Sequence, residues 1–217
     1  MDFQDIVTGR RMVRSYTADP VDAAAIDRML RNAVRAPNAG FTQGWAFLVL
    51  DTPADLDRFW GSTSPGGPAA GSSRWLTGMR SAPVVIVPLS SKEQYVRRYA
   101  EPDKGWSDAE EPRWGVPYWH VDAGMASLLV LQTAVDEGLG GCFFGIPREQ
   151  VPAFRAEFGI PGEYAPVGAI TIGHPDPHRA PGGSPTRRAR KHVDDVVHRG
   201  GWRRRGTGLH PDGKIYS

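Results

Sequence analysis

The stretch HVDAGMASLLVLQTAVDEGLGGCFFGIP, residues 120–147, decides the fold. Its first part, His120 to Glu137, is the most apolar helical segment of the chain. Val121, Met125, Leu128, Leu129, Leu131 and Val135 wrap around much of it instead of lining one stripe. A helix of that kind is buried, within the molecule or at a subunit interface. Gly138 ends it, because glycine takes the left-handed position after a helix without steric cost. Cys142 to Ile146 then reads as a short core strand, with glycines before and after it.

The same alternation continues on both sides. Asp2 to Thr8 suits a short helix closed by Gly9. Val21 to Ala36 carries Ile26, Met29, Leu30, Ala33 and Val34 on one helical face, and Pro37 stops it. Trp45 to Leu50 is short and apolar enough for a buried strand. Thr52 caps a helix running to about Trp60, with Pro53 at its first position. Ser62 to Ser73 reads as a Gly/Ser/Pro loop. Pro83 to Leu89 is a second strand, Arg148 to Phe158 a helix and Val167 to Gly173 a fourth strand. Pro175 to Thr186 is a linker, followed by a basic segment and tail. Helices alternating with short strands make the class α/β or α+β.

The bulk properties narrow the function. With 217 residues, 40% of them hydrophobic, the chain has material for one domain with a sizeable core. The formal net charge of +2 is too small for a general nucleic-acid binder. The basic excess gathers between Arg187 and Arg205, including Arg203-Arg204-Arg205. A lone cysteine, Cys142, excludes an intrachain disulfide framework and fits a reducing compartment. No apolar run reaches the roughly 20 residues of a membrane span, and the N-terminus lacks a secretory pattern. The expectation is a cytoplasmic protein with no nucleic-acid or membrane partner.

Four segments have the residue types for chemistry. Arg10-Arg11-Met12-Val13-Arg14 places three guanidiniums within five residues, a set suited to a phosphate although common on surfaces. Ala36-Pro37-Asn38-Ala39-Gly40-Phe41-Thr42-Gln43-Gly44-Trp45 is a small-residue loop in which a flat ligand can approach the backbone; Asn38 and Gln43 add amides. Gly138 to Pro147 exposes backbone at a strand end, without the spacing of a phosphate loop or dinucleotide fingerprint. Arg187-Arg188-Ala189-Arg190-Lys191-His192 adds cations after the linker.

In this order and at these distances the four segments resemble the nitroreductase family of flavin enzymes. Arg10-Arg11-x-Val13-Arg14 with Tyr16 and Pro20-Val21 is similar to the family's opening motif. Ala36-Pro37-Asn38…Gln43-Gly44-Trp45, Gly138-Leu139-Gly140…Gly145 and Arg190-Lys191…Val196-Val197-His198…Trp202 resemble its later ones. The resemblance spans nearly the whole chain, residues 1–217 as one domain. It implies an α+β fold, an α/β/α sandwich whose central mixed sheet is flanked by helices, in an intertwined homodimer. It implies flavin mononucleotide (FMN) as cofactor and NADH or NADPH as electron donor.

By the same resemblance, Arg10, Arg14 and Arg190 hold the flavin phosphate, with Arg11 and Arg188 close by. Pro37, Asn38, Ala39 and Gly40 pack near the ring, reaching it from the partner subunit, and Gln43 bonds its edge or the ribityl chain. Phe143, Phe144 and Gly145 lie behind the ring, where a backbone N–H meets N5. Met12 stands where the family has Ser, Gly44 where it has Pro, and His192 where it has Pro; adjusted flavin contacts are the expectation. No side chain need act as acid or base, since the flavin does the chemistry. Turnover is expected to be ping-pong, with a small aromatic, nitro or quinone acceptor.

Residues 91–119 have a lid's composition, with Tyr95, Tyr99, Trp106, Trp114, Tyr118 and Trp119 as candidates to stack on the acceptor. Residues 198–217 suit an arm over the partner. Cys142 reads as a small core hydrophobe, and His120 as a helix-start residue near the pocket mouth. Other outcomes implied by the resemblance are reductive dehalogenation, a biosynthetic dehydrogenation, flavin fragmentation, use of a deazaflavin, or flavin storage without turnover.

Overall fold

The computed structural model describes residues 1–64, 73–105, 114–179 and 187–202. The chain divides into two compact units, Met1–Arg179 and Ala180–Ser217. The first holds helices α1 (Phe3–Gly9), α2 (Ala23–Ala33), α3 (Pro53–Thr63), α4 (Arg74–Arg80), α5 (Lys92–Tyr99), α6 (Tyr118–Asp136) and α7 (Val151–Glu157). Its strands are β1 (Trp45–Leu50), β2 (Val84–Ser90), β3 (Gly140–Phe144), β4 (Ala165–Pro166) and β5 (Ala169–Gly173). The second unit holds α8 (Val193–Val196).

The sheet runs β1-β2-β5-β3, with β4 also on β2. All these strand pairs are antiparallel. Among the described residues, the parallel component of the expected mixed sheet is one isolated bridge, Met12 to Gly141. β2 is buried along its whole length, and its side chains alternate between two cores. Val84 and Ile86 meet α2 and α6 through Met29, Ala126 and Val130. Val85, Val87 and Leu89 meet α3 and α7 through Phe59, Trp60 and Phe154. Helices therefore cover both faces, and the α+β sandwich is as expected.

Pro88 sits inside this central strand, where a missing N–H normally breaks a ladder. The ladder slips there. Ile86 pairs with Ile170, but Leu89 pairs with Pro166, so Val87 and Pro88 of β2 face three residues, 167–169, where β4 passes into β5. The Pro88 carbonyl still accepts from the Val167 N–H at 2.9 Å. Pro88 thus lies opposite the extra residue of a bulge, one of the places in a sheet where proline costs little.

Four boundaries depart from the sequence reading. β3 begins at Gly140, two residues before the expected Cys142, so the glycine pair lies in the strand. The polar stretch after Ser91 starts with a helix, α5. α4 fills a segment that carried no sequence assignment. Residues 65–72 of the expected Ser62–Ser73 loop, Trp106 and Arg203-Arg204-Arg205 lie outside the described residues, and Thr63 is still in α3.

Candidate functional site

The arginine segment leaves α1 and runs along the edge of β3. The Val13 N–H donates to Gly141 O at 3.0 Å, next to the Met12–Gly141 bridge. Gly140 permits this approach, since a Cβ there would lie 2.5 Å from a Val13 methyl. On the other side, Gly78 of α4 lies under Arg14, whose carbonyl would be 2.1 Å from an added Cβ. The Tyr16 hydroxyl donates to Val13 O at 2.6 Å and lies 2.8 Å from Thr171 Oγ1, anchoring the segment's far end in the core. Burial pushes the Tyr16 phenol well above its ordinary range, so it stays protonated.

Two of the four expected segments, Arg10–Arg14 and Gly138–Pro147, are therefore brought side by side. Arg10 is half-buried and Arg11 exposed, and neither side chain has a hydrogen-bond or ion-pair partner among the described residues. Arg14 is half-buried and reaches Met12 O at 3.5 Å. Burial raises the Cys142 pKa, against the opposing pull of Arg14. Met12 packs its side chain between the two cores, so its thioether does structural work where a serine was expected.

The loop from Pro37 to Gly44 has an unusual backbone. Gly40, Phe41 and Gln43 all have positive φ, at 64°, 54° and 53°. The last two carry side chains that disfavour this region, so the surroundings must impose it. Four contacts do so. The Ala39 N–H donates to Asp122 Oδ2 at 2.8 Å, the Gln43 N–H to Asn38 Oδ1 at 2.9 Å, Arg98 Nε to Gly40 O at 2.9 Å, and the Ser91 N–H to Gly44 O at 2.9 Å. Asp122, on α6, is 1% exposed and also accepts from the Tyr95 hydroxyl at 2.7 Å. Pro37 and Gln43 are exposed, Asn38, Ala39 and Gly40 half-buried, and the Phe41 ring projects with 74% exposure.

At the far end of β3, Phe143 packs on the α2–α6 core. Phe144 stacks on Trp60 of the other core, with centroids 5.8 Å apart and planes within 9°. Gly145 follows them, exposed, and open space surrounds the position its Cβ would take.

The aromatic candidates among the described residues form one cluster. Trp114 meets Tyr99 at 4.5 Å, Tyr118 at 5.9 Å, Tyr95 at 6.1 Å and Trp119 at 6.2 Å. Tyr99 packs under Gly40, which links the cluster to the strained loop. Tyr95 is wholly buried, so its part is to hold Asp122, not to meet a ligand. Tyr118 is exposed, and Tyr99, Trp114 and Trp119 are half-buried.

Arg188 and Arg190 belong to the second unit, where both are exposed. There His192 caps α8 and the His198 and Trp202 rings stack at 4.1 Å. A cavity of about 480 Å³ in the first unit, beside Trp60 and Arg80, is lined by none of the expected site residues.

Asp122, Gly78 and the Ser90–Ser91 pair were not picked out by the sequence. The one available signal was Asp122 itself, an acid inside the most apolar helix, which must find donors when buried.

The nitroreductase family model matches residues 7–174. A relative from Methanothermobacter thermautotrophicus, provisionally named an NADH dehydrogenase/NAD(P)H nitroreductase, is 26% identical over 178 residues, covering 81% of this chain and 78% of that protein. The solved structure of an FMN-dependent nitroreductase from Clostridium difficile R20291 superposes with a TM-score of 0.65 at 21% identity, covering 92% of this chain and 99% of that one. A provisionally named nitroreductase from Exiguobacterium sibiricum, solved in complex with FMN, gives 0.67 at 18% identity, covering 94% and 98%.

Proposed function

The chain belongs to the nitroreductase family, and from that premise we propose that it is an FMN-dependent oxidoreductase taking electrons from NADH or NADPH. The observation that carries the reading is the convergence of Arg10–Arg14 on Gly140–Phe144. Half-buried Arg10 and Arg14, the former with no protein counter-charge among the described residues, have the chemistry to hold a phosphate. They stand next to a strand that ends in the open backbone of Gly145. When bound, flavin supplies the redox chemistry, passing a hydride through N5 from donor to acceptor in ping-pong half-reactions.

The chain's own residues bind, orient and cover. Arg10 and Arg14 hold the phosphate, with Arg11 adding positive potential. Pro37, Asn38, Ala39 and Gly40 meet the ring from the partner subunit, and Gln43 bonds its edge or the ribityl chain, in a loop pre-shaped by Asp122. Tyr118, Trp119 and Trp114 offer faces to a flat aromatic, nitro or quinone acceptor. A homodimer is supported by apolar surface that needs a cover: Val121 and Leu128 on α6 are 41% and 45% exposed, and Phe3 on neighbouring α1 is 69% exposed. No described helix is long and apolar enough to cross a membrane, and we assign the protein to the cytoplasm.

The test is an absorbance spectrum of the purified protein, then anaerobic addition of NADPH or NADH. A flavin spectrum that bleaches is the expected result and identifies the donor. A bound flavin that neither nicotinamide bleaches points to another reductant or to storage. Failure to bind added FMN overturns the reading.

A further inference from the structure

The Ser90–Ser91 pair ties one corner of the molecule together. The Ser91 N–H holds Gly44 O at 2.9 Å, and Ser91 Oγ accepts from the Gln94 N–H to start α5. Ser90 is 1% exposed and stands opposite Trp45 in the sheet. Its Oγ is 3.0 Å from Nδ1 of His120. His120 is therefore fixed at the corner that carries the Asn38–Gly44 loop, and its ring lies 5.9 Å from that of Trp119.

The hydrogens of this pair follow from burial. A buried hydroxyl needs an acceptor for its proton. Among the described residues, Nδ1 of His120 is the acceptor that Ser90 reaches, so the hydroxyl donates and the ring hydrogen sits on Nε2. The residue is exposed as a whole, and partial desolvation on the Ser90 side lowers the His120 pKa, with no charged neighbour contributing, which favours the neutral ring. Nε2–H has no protein partner among the described residues. It is a donor of fixed tautomer at the edge of an aromatic cluster.

We propose that His120 is a specificity-determining residue, whose Nε2–H donates a hydrogen bond to an oxygen on the rim of a flat acceptor lying against Trp119 and Tyr118. The inference rests on the reading above that the acceptor enters beside this cluster. The ligand class is an arene bearing a quinone carbonyl or a nitro group. A flat hydrocarbon of the same size stacks equally well but leaves the N–H without an acceptor, and an unmatched polar group is how a site rejects such an analogue.

The test is calorimetric titration of oxidised, flavin-loaded protein without any reductant, using menadione and methylnaphthalene as probes. Wild type is expected to prefer menadione. His120→Phe lowers menadione affinity roughly three- to tenfold, the worth of one net hydrogen bond, and leaves methylnaphthalene unchanged. His120→Gln, which keeps an N–H donor, recovers part of the loss. Ser90→Ala frees the tautomer and loses less than His120→Phe. Equal loss for both probes, or no loss for menadione, overturns the proposal. Flavin absorbance is recorded for every variant. A protein that holds no flavin refutes the proposed function, while the same titrations on that protein still decide the role of His120.

Discussion

Gly78 has no side chain at the point where the Arg14 carbonyl passes, and a Cβ there would lie 2.1 Å from that oxygen. Backbone cannot swing away as the tip of a long side chain can, so Gly78→Ala must push the arginine segment off α4. Overpacking of this kind costs about 1–3 kcal/mol. The expected outcome is a lower urea midpoint together with weaker FMN binding, measured by fluorescence titration. A stability loss with FMN affinity unchanged would separate Arg14 from the phosphate site.

Arg10 and Arg14 make the sharper test of that site. Each guanidinium offers charge-assisted hydrogen bonds worth about 1.5–3 kcal/mol. Arg10→Gln is expected to weaken FMN binding roughly ten- to hundredfold, with little change in the melting temperature, because Arg10 has no protein partner among the described residues to lose. Arg11→Gln, at an exposed position, should do much less. Equal effects of the two changes would mean general positive potential and not a specific contact.

Asp122 governs the strained loop by a different route. Asp122→Leu leaves the Ala39 N–H and the Tyr95 hydroxyl without their acceptor. Two donors, one buried and one half-buried, at about 1–3 kcal/mol each predict a loss of at most roughly 2–6 kcal/mol. Asp122→Asn keeps one oxygen for both donors, since both use Oδ2, and should retain much of the stability. Tyr95→Phe removes one donor and should fall between wild type and Asp122→Leu. Chemical denaturation orders the three variants; any other order refutes the strut.

These residues also mark where sequence stops being informative. β1 was legible to its ends because an apolar run lies between Gly44 and the Thr52-Pro53 helix start. α4 was not, since it is short and holds a glycine, whose reason for being there is the distant Arg14. The Gly140–Gly141 pair reads as a turn on local grounds. Only the pressure of Val13, Leu131 and Ile172 shows why a strand needs glycine there. α5 read only as part of a polar lid segment because its polar face dominates, while its buried anchor, Tyr95, is paired across 27 positions. The site motifs were visible as residue types. Their convergence was not, because Val13 and Gly141 are linked by a β-bridge segment that no local pattern announces.

The His120 ring predicts how stability responds to acid. Its folded-state pKa lies below the ordinary 6.5 through partial desolvation of a ring that is otherwise exposed. Between the two values the unfolded chain binds the proton more readily, so stability rises with pH. The contribution is therefore fully present above about pH 6.5 and is lost as pH falls through the folded-state value. His120→Gln should flatten the stability profile on the acid side of neutrality and leave it unchanged at pH 8, as read by urea midpoints across a pH series. An unchanged acid slope in the variant would show that the imidazole titrates as freely in the folded protein as in the unfolded chain.

Cys142 gives the last test, on the β3 side of the site. Its thiol is buried at 2% exposure, and burial raises its pKa while Arg14 pulls the other way. The thiolate is the reactive species, so a buried, protonated thiol should be inert. Iodoacetamide at pH 8 is expected to label native protein at least about tenfold more slowly than protein in denaturant. Gly78→Ala, by displacing Arg14, should alter that rate, whereas Asp122→Leu should not beyond its effect on global unfolding. Labelling read by mass spectrometry at several protein stabilities separates the two cases. A native rate matching the denatured one would mean that the Arg10–Arg14 segment does not seal the edge of β3, and the convergence on which the phosphate site is built would fail with it.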